Sequence, residues 1–150
     1  MKVISIVGKQ KTGKTSLIER LIASLKHYGT VGCIKHAQEL ELAMPIARDT
    51  DRFFTAGADV VVGVSGERSI KLSGPRDLTD LIEEMARSDI SFLLVEGFKS
   101  SALPKIALSD YLPHEVRNVR KRVELKSGTE IPDTVVKELV EFILALDEYA

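Results

Sequence analysis

Near the start of the chain, a β-branched run and an amphipathic stretch flank the segment Gly8-Lys9-Gln10-Lys11-Thr12-Gly13-Lys14-Thr15. It fits the pattern G-x-x-x-x-G-K-[ST], whose parts each have a physical job. Gly8 and Gly13 let the backbone wrap closely around phosphate oxygens. The loop amides then form an anion nest. Lys14 brings a flexible positive charge to the β- and γ-phosphates, and Thr15 offers a hydroxyl to Mg²⁺. The helix that begins here, continuing through Ser16, adds its positive N-terminal end. A strand must precede such a loop and a helix must follow it. Lys2–Val7 and the apolar spacing Leu17, Ile18, Leu21, Ile22, Leu25 meet both demands. Lys9 and Lys11 read equally well as phosphate contacts or as solvated loop charges.

The rest of the chain alternates between strand and helix patterns. The first helix spans Thr15–Tyr28, with Gly29 at its C′ position. Strands are expected at Val31–Ile34, Val60–Val64, Ser69–Leu72, Ile90–Val95, Ile106–Leu108 and Val123–Leu125. Val60–Val64 reads as a strand buried on both faces of a parallel sheet. Ser69–Leu72 reads as a hairpin or edge strand after the Gly66-Glu67 turn. Further helices are expected at Asp51–Ala56, at Asp77–Arg87 with Asp77 as N-cap, and at Pro132–Glu148. This alternation predicts a three-layer α/β fold of the P-loop NTPase type, with a mostly parallel sheet and one domain over residues 1–150.

Composition narrows the partners. The 150 residues hold 21 Lys and Arg against 22 Asp and Glu, a net charge of −1. That balance argues against a protein that coats nucleic acid. No apolar run approaches the ~20 residues that span a bilayer, and the N-terminus runs directly into a strand without a signal-peptide pattern. The expectation is a cytoplasmic protein. The single cysteine, Cys33, excludes an internal disulfide and a Cys-based zinc cluster, and its place in a β-run reads as an inert buried thiol.

Several polar groups are expected at the C-terminal edge of the sheet, where open α/β folds bind ligands. Glu96 follows the Ile90–Val95 strand and suits the acid that holds Mg²⁺, and Gly97 would let backbone approach the γ-phosphate. Lys35 and His36 end the second strand, with Lys35 in reach of a γ-phosphate or a substrate. His36 is either an orienting group or a surface residue. Asp49 is a candidate Mg²⁺ ligand or water-positioning residue, and equally an N-cap for the Asp51–Ala56 helix. Asp110 could accept hydrogen bonds from guanine, or be a solvated loop aspartate. The Arg117, Arg120, Lys121, Arg122 cluster could meet acidic partners or nucleotide phosphates, but reads more readily as a solvated loop.

Taken together, Gly8–Thr15, Ile34-Lys35-His36, Arg48-Asp49-Thr50, Ala56-Gly57-Ala58, Val95-Glu96-Gly97-Phe98-Lys99 and Pro104-Lys105-Ile106 resemble the molybdopterin-guanine dinucleotide biosynthesis protein B (MobB) family, from Met1 to about Asp110. The resemblance implies a GTP-binding protein, usually a homodimer, with weak Mg²⁺-dependent GTPase activity. It also implies a role assisting the guanylyltransferase that attaches GMP to molybdopterin. By that resemblance Gly8–Thr15 bind phosphates, Thr15 binds Mg²⁺, Glu96 is the acidic strand-end residue, and Lys35, His36, Asp49 and Lys105 line the cleft. The chain departs from the family between Ala37 and Pro45, where the usual His residues are missing. Ala47-Arg48-Asp49-Thr50 stands for Gly-Lys-Asp-Ser. A small-molecule kinase, with Lys35 and His36 at an acceptor site, and a metallochaperone-type GTPase are the alternatives on the same loop.

Overall fold

The computed structural model describes residues 1–38, 45–109, 111–112, 114–125 and 128–150, with backbone alone at 45–47. The expected single domain is organised as two compact units, Met1–Ala37 with Leu81–Ala150, and Gln38–Asp80.

In the first unit, strands β1 (Lys2–Val7), β2 (Val31–Lys35), β5 (Phe92–Glu96), β6 (Lys105–Ala107) and β7 (Val119–Arg122) form one sheet in the order β2-β5-β1-β6-β7. Every neighbouring pair in it is parallel. Parallel neighbours require crossovers, and the helices supply them. Helix α1 (Lys14–Leu25) and helix α4 (Asp133–Leu144) cover one face. Their apolar stripes, Leu17, Leu21 and Leu25 with Val136, Leu139 and Ile143, pack on Ile4, Ile6, Phe92 and Leu94. Burying each such aliphatic side chain contributes about 1.5–3 kcal/mol. Part of helix α3 (Leu78–Arg87) lies on the opposite face, where a Cβ at Gly32 would press on Ile90, Met85 and Leu93 at 3.2–3.4 Å. The structure is therefore an α/β sheet between helical layers, as the alternation predicts.

The second unit contains helix α2 (Pro45–Thr55) and the antiparallel hairpin of β3 (Val60–Val64) and β4 (Ser69–Ser73). Pro45 opens α2, six residues before the expected start at Asp51. Proline fits there because the first turn of a helix does not use its N–H. Asp49 thus lies inside α2 and is not its N-cap.

Other expectations are corrected. Val60–Val64 is no interior parallel strand. Among the described residues it pairs with β4 alone, and Val60, Val62 and Val64 are 53%, 57% and 69% exposed. The basic cluster is not a loop, because Arg120, Lys121 and Arg122 form edge strand β7, while Val123–Leu125 lies past its end. Charged side chains suit an unpaired edge, where they oppose pairing with another chain. Gly29 is not the C′ residue of α1, whose C-cap is Lys26. It is glycine because a Cβ there would stand 2.7 Å from the Ser91 hydroxyl. Cys33 is exposed on edge strand β2, not buried. Among the described residues, no helix is long and apolar enough to cross a membrane.

Candidate nucleotide phosphate site

The loop after β1 closes onto the N-terminus of α1. Gly13 is the N-cap residue, at φ 84°, and no side chain caps the first-turn amides. Uncapped amides at the positive end of a helix are what an anion needs. Gly8 has a different reason to be glycine. A Cβ there would lie 2.5 Å from Thr12 Oγ1 and 3.2 Å from Leu108 Cβ. Within the loop, Lys11 carries the left-handed turn, at φ 59°.

Lys14 arches back over this loop. Its ammonium donates to the Gly8 carbonyl at 3.0 Å and to the Lys9 carbonyl at 2.7 Å. Thr12 Oγ1 also donates to the Lys9 carbonyl, at 2.8 Å. Burial pushes the Lys14 ammonium below its ordinary value of 10.5, against the pull of Glu96 and with the push of Lys99 and Lys35. An arriving phosphate would restore the missing counter-charge. A cavity of about 490 Å³, lined by Gln10 to Ser16 and by Glu96, opens in front of the loop. That size suits a phosphate chain and part of a nucleoside.

Glu96 reaches the same cavity from β5, whose last residue it is. β5 sits between β2 and β1, so strand pairing sets Glu96 beside Lys35 on one side and Ile6 on the other. Its carboxylate accepts from Thr15 Oγ1 at 3.3 Å and from Lys35 Nζ at 3.2 Å on each oxygen. The corner beyond it is held from below. Gly97 N–H donates to the Ile6 carbonyl at 3.1 Å, and Ser5 Oγ donates to the Gly97 carbonyl at 2.7 Å. Gly97 itself needs to be glycine, since it lies at φ 95° with His36 Cβ only 3.2 Å from where its own Cβ would be. Its amide is committed to Ile6, so the expected approach of this backbone to a γ-phosphate does not extend to that N–H. His36 N–H donates to the Glu96 carbonyl at 3.0 Å, and the His36 ring tilts onto Phe98 at 4.6 Å.

The structure therefore brings together Gly8 to Ser16, Lys35, His36, Glu96 and Gly97. Lys9 joins them with its N–H already donating to Ser109 Oγ at 3.1 Å. Lys105 does not join them. Expected in the cleft, it is fully buried, and its ammonium donates to the carbonyls of Ser101 and Leu103. A buried ammonium must be satisfied by acceptors in reach, and the loop that follows Glu96 supplies them. Asp49, in the second unit, is exposed and faces Arg52 at 3.7 Å. Asp110 and the divergent segment from Glu39 to Met44 lie outside the described residues.

Ser5, Lys99 and Ser109 are additions that the motif did not single out. Lys99 lies over the Tyr111 ring at 5.1 Å and is one of the charges that act on Lys14. Ser5 had a readable signal, a polar residue in the middle of an otherwise apolar strand that must find a partner.

The residues fit a hard divalent cation. Thr15 and Glu96 offer oxygen ligands that already meet, beside a loop at which a phosphate, if bound, would supply more. No group of three or more His, Cys, Asp or Glu that could hold a metal occurs among the described residues. An ion at this site would therefore depend on phosphate oxygens and water to complete its shell, which is the habit of Mg²⁺.

Residues 3–124 match the family model of molybdopterin guanine dinucleotide synthesis protein B. The chain is 36% identical over 111 residues to a protein of Bacillus subtilis named probable molybdopterin-guanine dinucleotide biosynthesis adapter protein, across 71% of this chain and 64% of that one. It is 31% identical over 113 residues to the putative adapter protein of the same name in Methanocaldococcus jannaschii, across 72% of this chain and 47% of that one. The matched segment thus spans less than two thirds of either relative. The crystal structure of Bacillus subtilis MobB superposes with a TM-score of 0.70 at 27% identity, covering 95% of this chain and 98% of that one. With the family model matched over most of its length and the fold shared, this chain belongs to the MobB family.

Proposed function

We propose that this protein is an accessory factor in molybdopterin guanine dinucleotide biosynthesis that binds GTP with Mg²⁺ and hydrolyses it slowly. One observation carries the nucleotide part: an uncapped helix N-terminus and Lys14 share a cavity with the carboxylate of Glu96. The pathway part is supported by the names of the relatives. The preference for guanine rests on the family likeness, since Asp110 lies outside the described residues. A cytoplasmic setting belongs to the same reading.

The roles follow from the geometry. The loop amides and the first turn of α1 would hold the phosphate chain, and Lys14 would leave the loop carbonyls to neutralise it. Thr15 and Glu96 would hold the magnesium ion. Such an ion, when bound, offsets charge on the phosphate oxygens. Lys35 and Lys99 would add positive charge around the terminal phosphate. Asp49, an exposed carboxylate of α2, would orient the attacking water.

Lys14→Ala should weaken GTP binding by at least about 10-fold, as expected for losing a charge-assisted contact. Calorimetry with Mg²⁺ measures it, and unchanged affinity would overturn the nucleotide reading. The same titrations with ATP test the base, since a preference for ATP would favour the kinase alternative. Copurification with the guanylyltransferase of the pathway tests the partner. Homodimerisation is part of the reading too. The exposed stripe of Val60, Val62 and Val64 supplies an apolar face of the kind that subunits bury. Val62→Lys should then shift the protein to monomer in sedimentation, and a species independent of that change would count against this face.

A further inference from the structure

The Glu96 carboxylate already faces a cation. Both oxygens of Glu96 receive the Lys35 ammonium at 3.2 Å, and Thr15 Oγ1 donates to one of them at 3.3 Å. The two side chains differ sharply in access. The Glu96 side chain is only 12% exposed, whereas that of Lys35 is 53% exposed. A carboxylate so enclosed cannot remain without a counter-charge at acceptable cost. Lys35 supplies that charge from the solvent side, and the register of β2 against β5 places it directly alongside.

We infer that Lys35 holds the divalent-cation position of the metal-free site, and that it exchanges Glu96 for a nucleotide phosphate oxygen when a metal ion binds there. This rests on the nucleotide reading above.

The electrostatics favour an exchange over coexistence. Two cations cannot share one carboxylate closely without repelling each other. Lys35 therefore loses its partner when a divalent ion takes Glu96. Two other ammonium groups, Lys14 and Lys99, belong to the same cluster of charges, so apart from solvent, which its half-exposed side chain already meets, Lys35 finds no other acid there among the described residues. The remaining anion in reach would be the bound phosphate. Metal and phosphate binding are then coupled through one side chain, and by linkage each favours the other. No bond is made or broken in this exchange except ionic contacts, and the lysine stays protonated.

Two variants test it. Lys35→Met keeps the length and removes the charge, while Lys35→Arg keeps the charge. Mn²⁺ alone is titrated into nucleotide-free protein and followed by electron paramagnetic resonance. Mn²⁺ should bind Lys35→Met several-fold more tightly than wild type, because its competitor is gone. Lys35→Arg should resemble wild type, and Glu96→Gln should lose the site. Affinity for a non-hydrolysable GTP analogue in the presence of Mg²⁺ should move the opposite way, weakening about 10-fold in Lys35→Met through the lost charge-assisted contact. This opposite-signed pair of shifts is the expected result. Equal Mn²⁺ affinities, including binding by neither protein, overturn the inference, because Lys35 then competes with nothing. Tighter Mn²⁺ with unchanged affinity for the GTP analogue also overturns it, since Lys35 would then be a fixed structural partner of Glu96. If wild type binds neither GTP nor GDP, the nucleotide reading itself has failed. If wild type binds them and only the Lys35 signature is missing, the failure belongs to this inference alone.

Discussion

Two aliphatic runs in this chain look alike and behave differently. Phe92-Leu93-Leu94-Val95 of β5 and Val60-Val61-Val62-Gly63-Val64 of β3 both read as interior strands. β5 has a parallel neighbour on each side, helices on one face and Met85 near the other, and its first four residues are buried. β3 has one antiparallel neighbour, and its residues alternate between exposed and buried. The difference teaches that an apolar run reports strand tendency, while burial is decided by what lies beside and above it. Valine favours a pleated backbone whichever face meets water. Function follows burial here, because only β5 delivers a charged residue to a sheet edge where other elements converge.

The largest break in this comparison should come from Leu94→Ala. Leu94 is fully buried between α1 and the sheet, so its loss leaves a cavity and should cost the first unit about 2–5 kcal/mol in denaturant unfolding. A cost near zero would mean that β5 is no better packed than β3. Gly97→Ala comes next, because it must carry a Cβ at φ 95° against His36. It should destabilise by about 1–2 kcal/mol and, on the proposed function, weaken nucleotide binding by displacing Glu96. If stability falls but binding does not, the corner matters for the fold alone.

A smaller effect concerns pH. Lys14 has its ammonium lowered by burial, so in the folded state it releases its proton before the unfolded chain does. Between that lowered value and 10.5 the unfolded state binds more protons, and stability should rise with pH. Lys14→Met should remove that alkaline gain in thermal melts recorded beside wild type. A variant with the same pH slope as wild type would show that Lys14 is not desolvated. Lys105, also lowered by burial, contributes a slope of the same sign in both proteins. The smallest change is expected from Val62→Thr in β3, within about 0.5 kcal/mol, because an exposed β-branched residue replaces another. A larger loss in dilute solution would show that this valine face is covered.

Much of the candidate site was legible before any coordinates. Gly8 to Thr15 is a contiguous motif, and the chemistry of a phosphate cradle is mostly local backbone geometry. Glu96 was legible because a strongly apolar run has to end at a sheet edge. The Lys35–Glu96 pair was only half legible. Both residues end strands, but that β2 and β5 are neighbours is a matter of strand order, and the residues stand far apart in the chain. Lys105 misled for the same reason. The family resemblance carries it to the cleft, and only the path of the loop from Phe98 to Pro104 shows that the Ser101 and Leu103 carbonyls accept from its ammonium.

The sequence by itself determined most of the elements and the glycine and lysine spacing of the first loop, because spacing, glycine placement and β-branching act over a few residues. It also determined that positive charge would gather at one loop in a chain whose net charge is only −1. Tertiary structure decided which strands became interior, that Arg120 to Arg122 would form an edge strand, and which cation would face Glu96. Those outcomes depend on partners distant in the chain, and a side chain's environment is set by all of its neighbours at once.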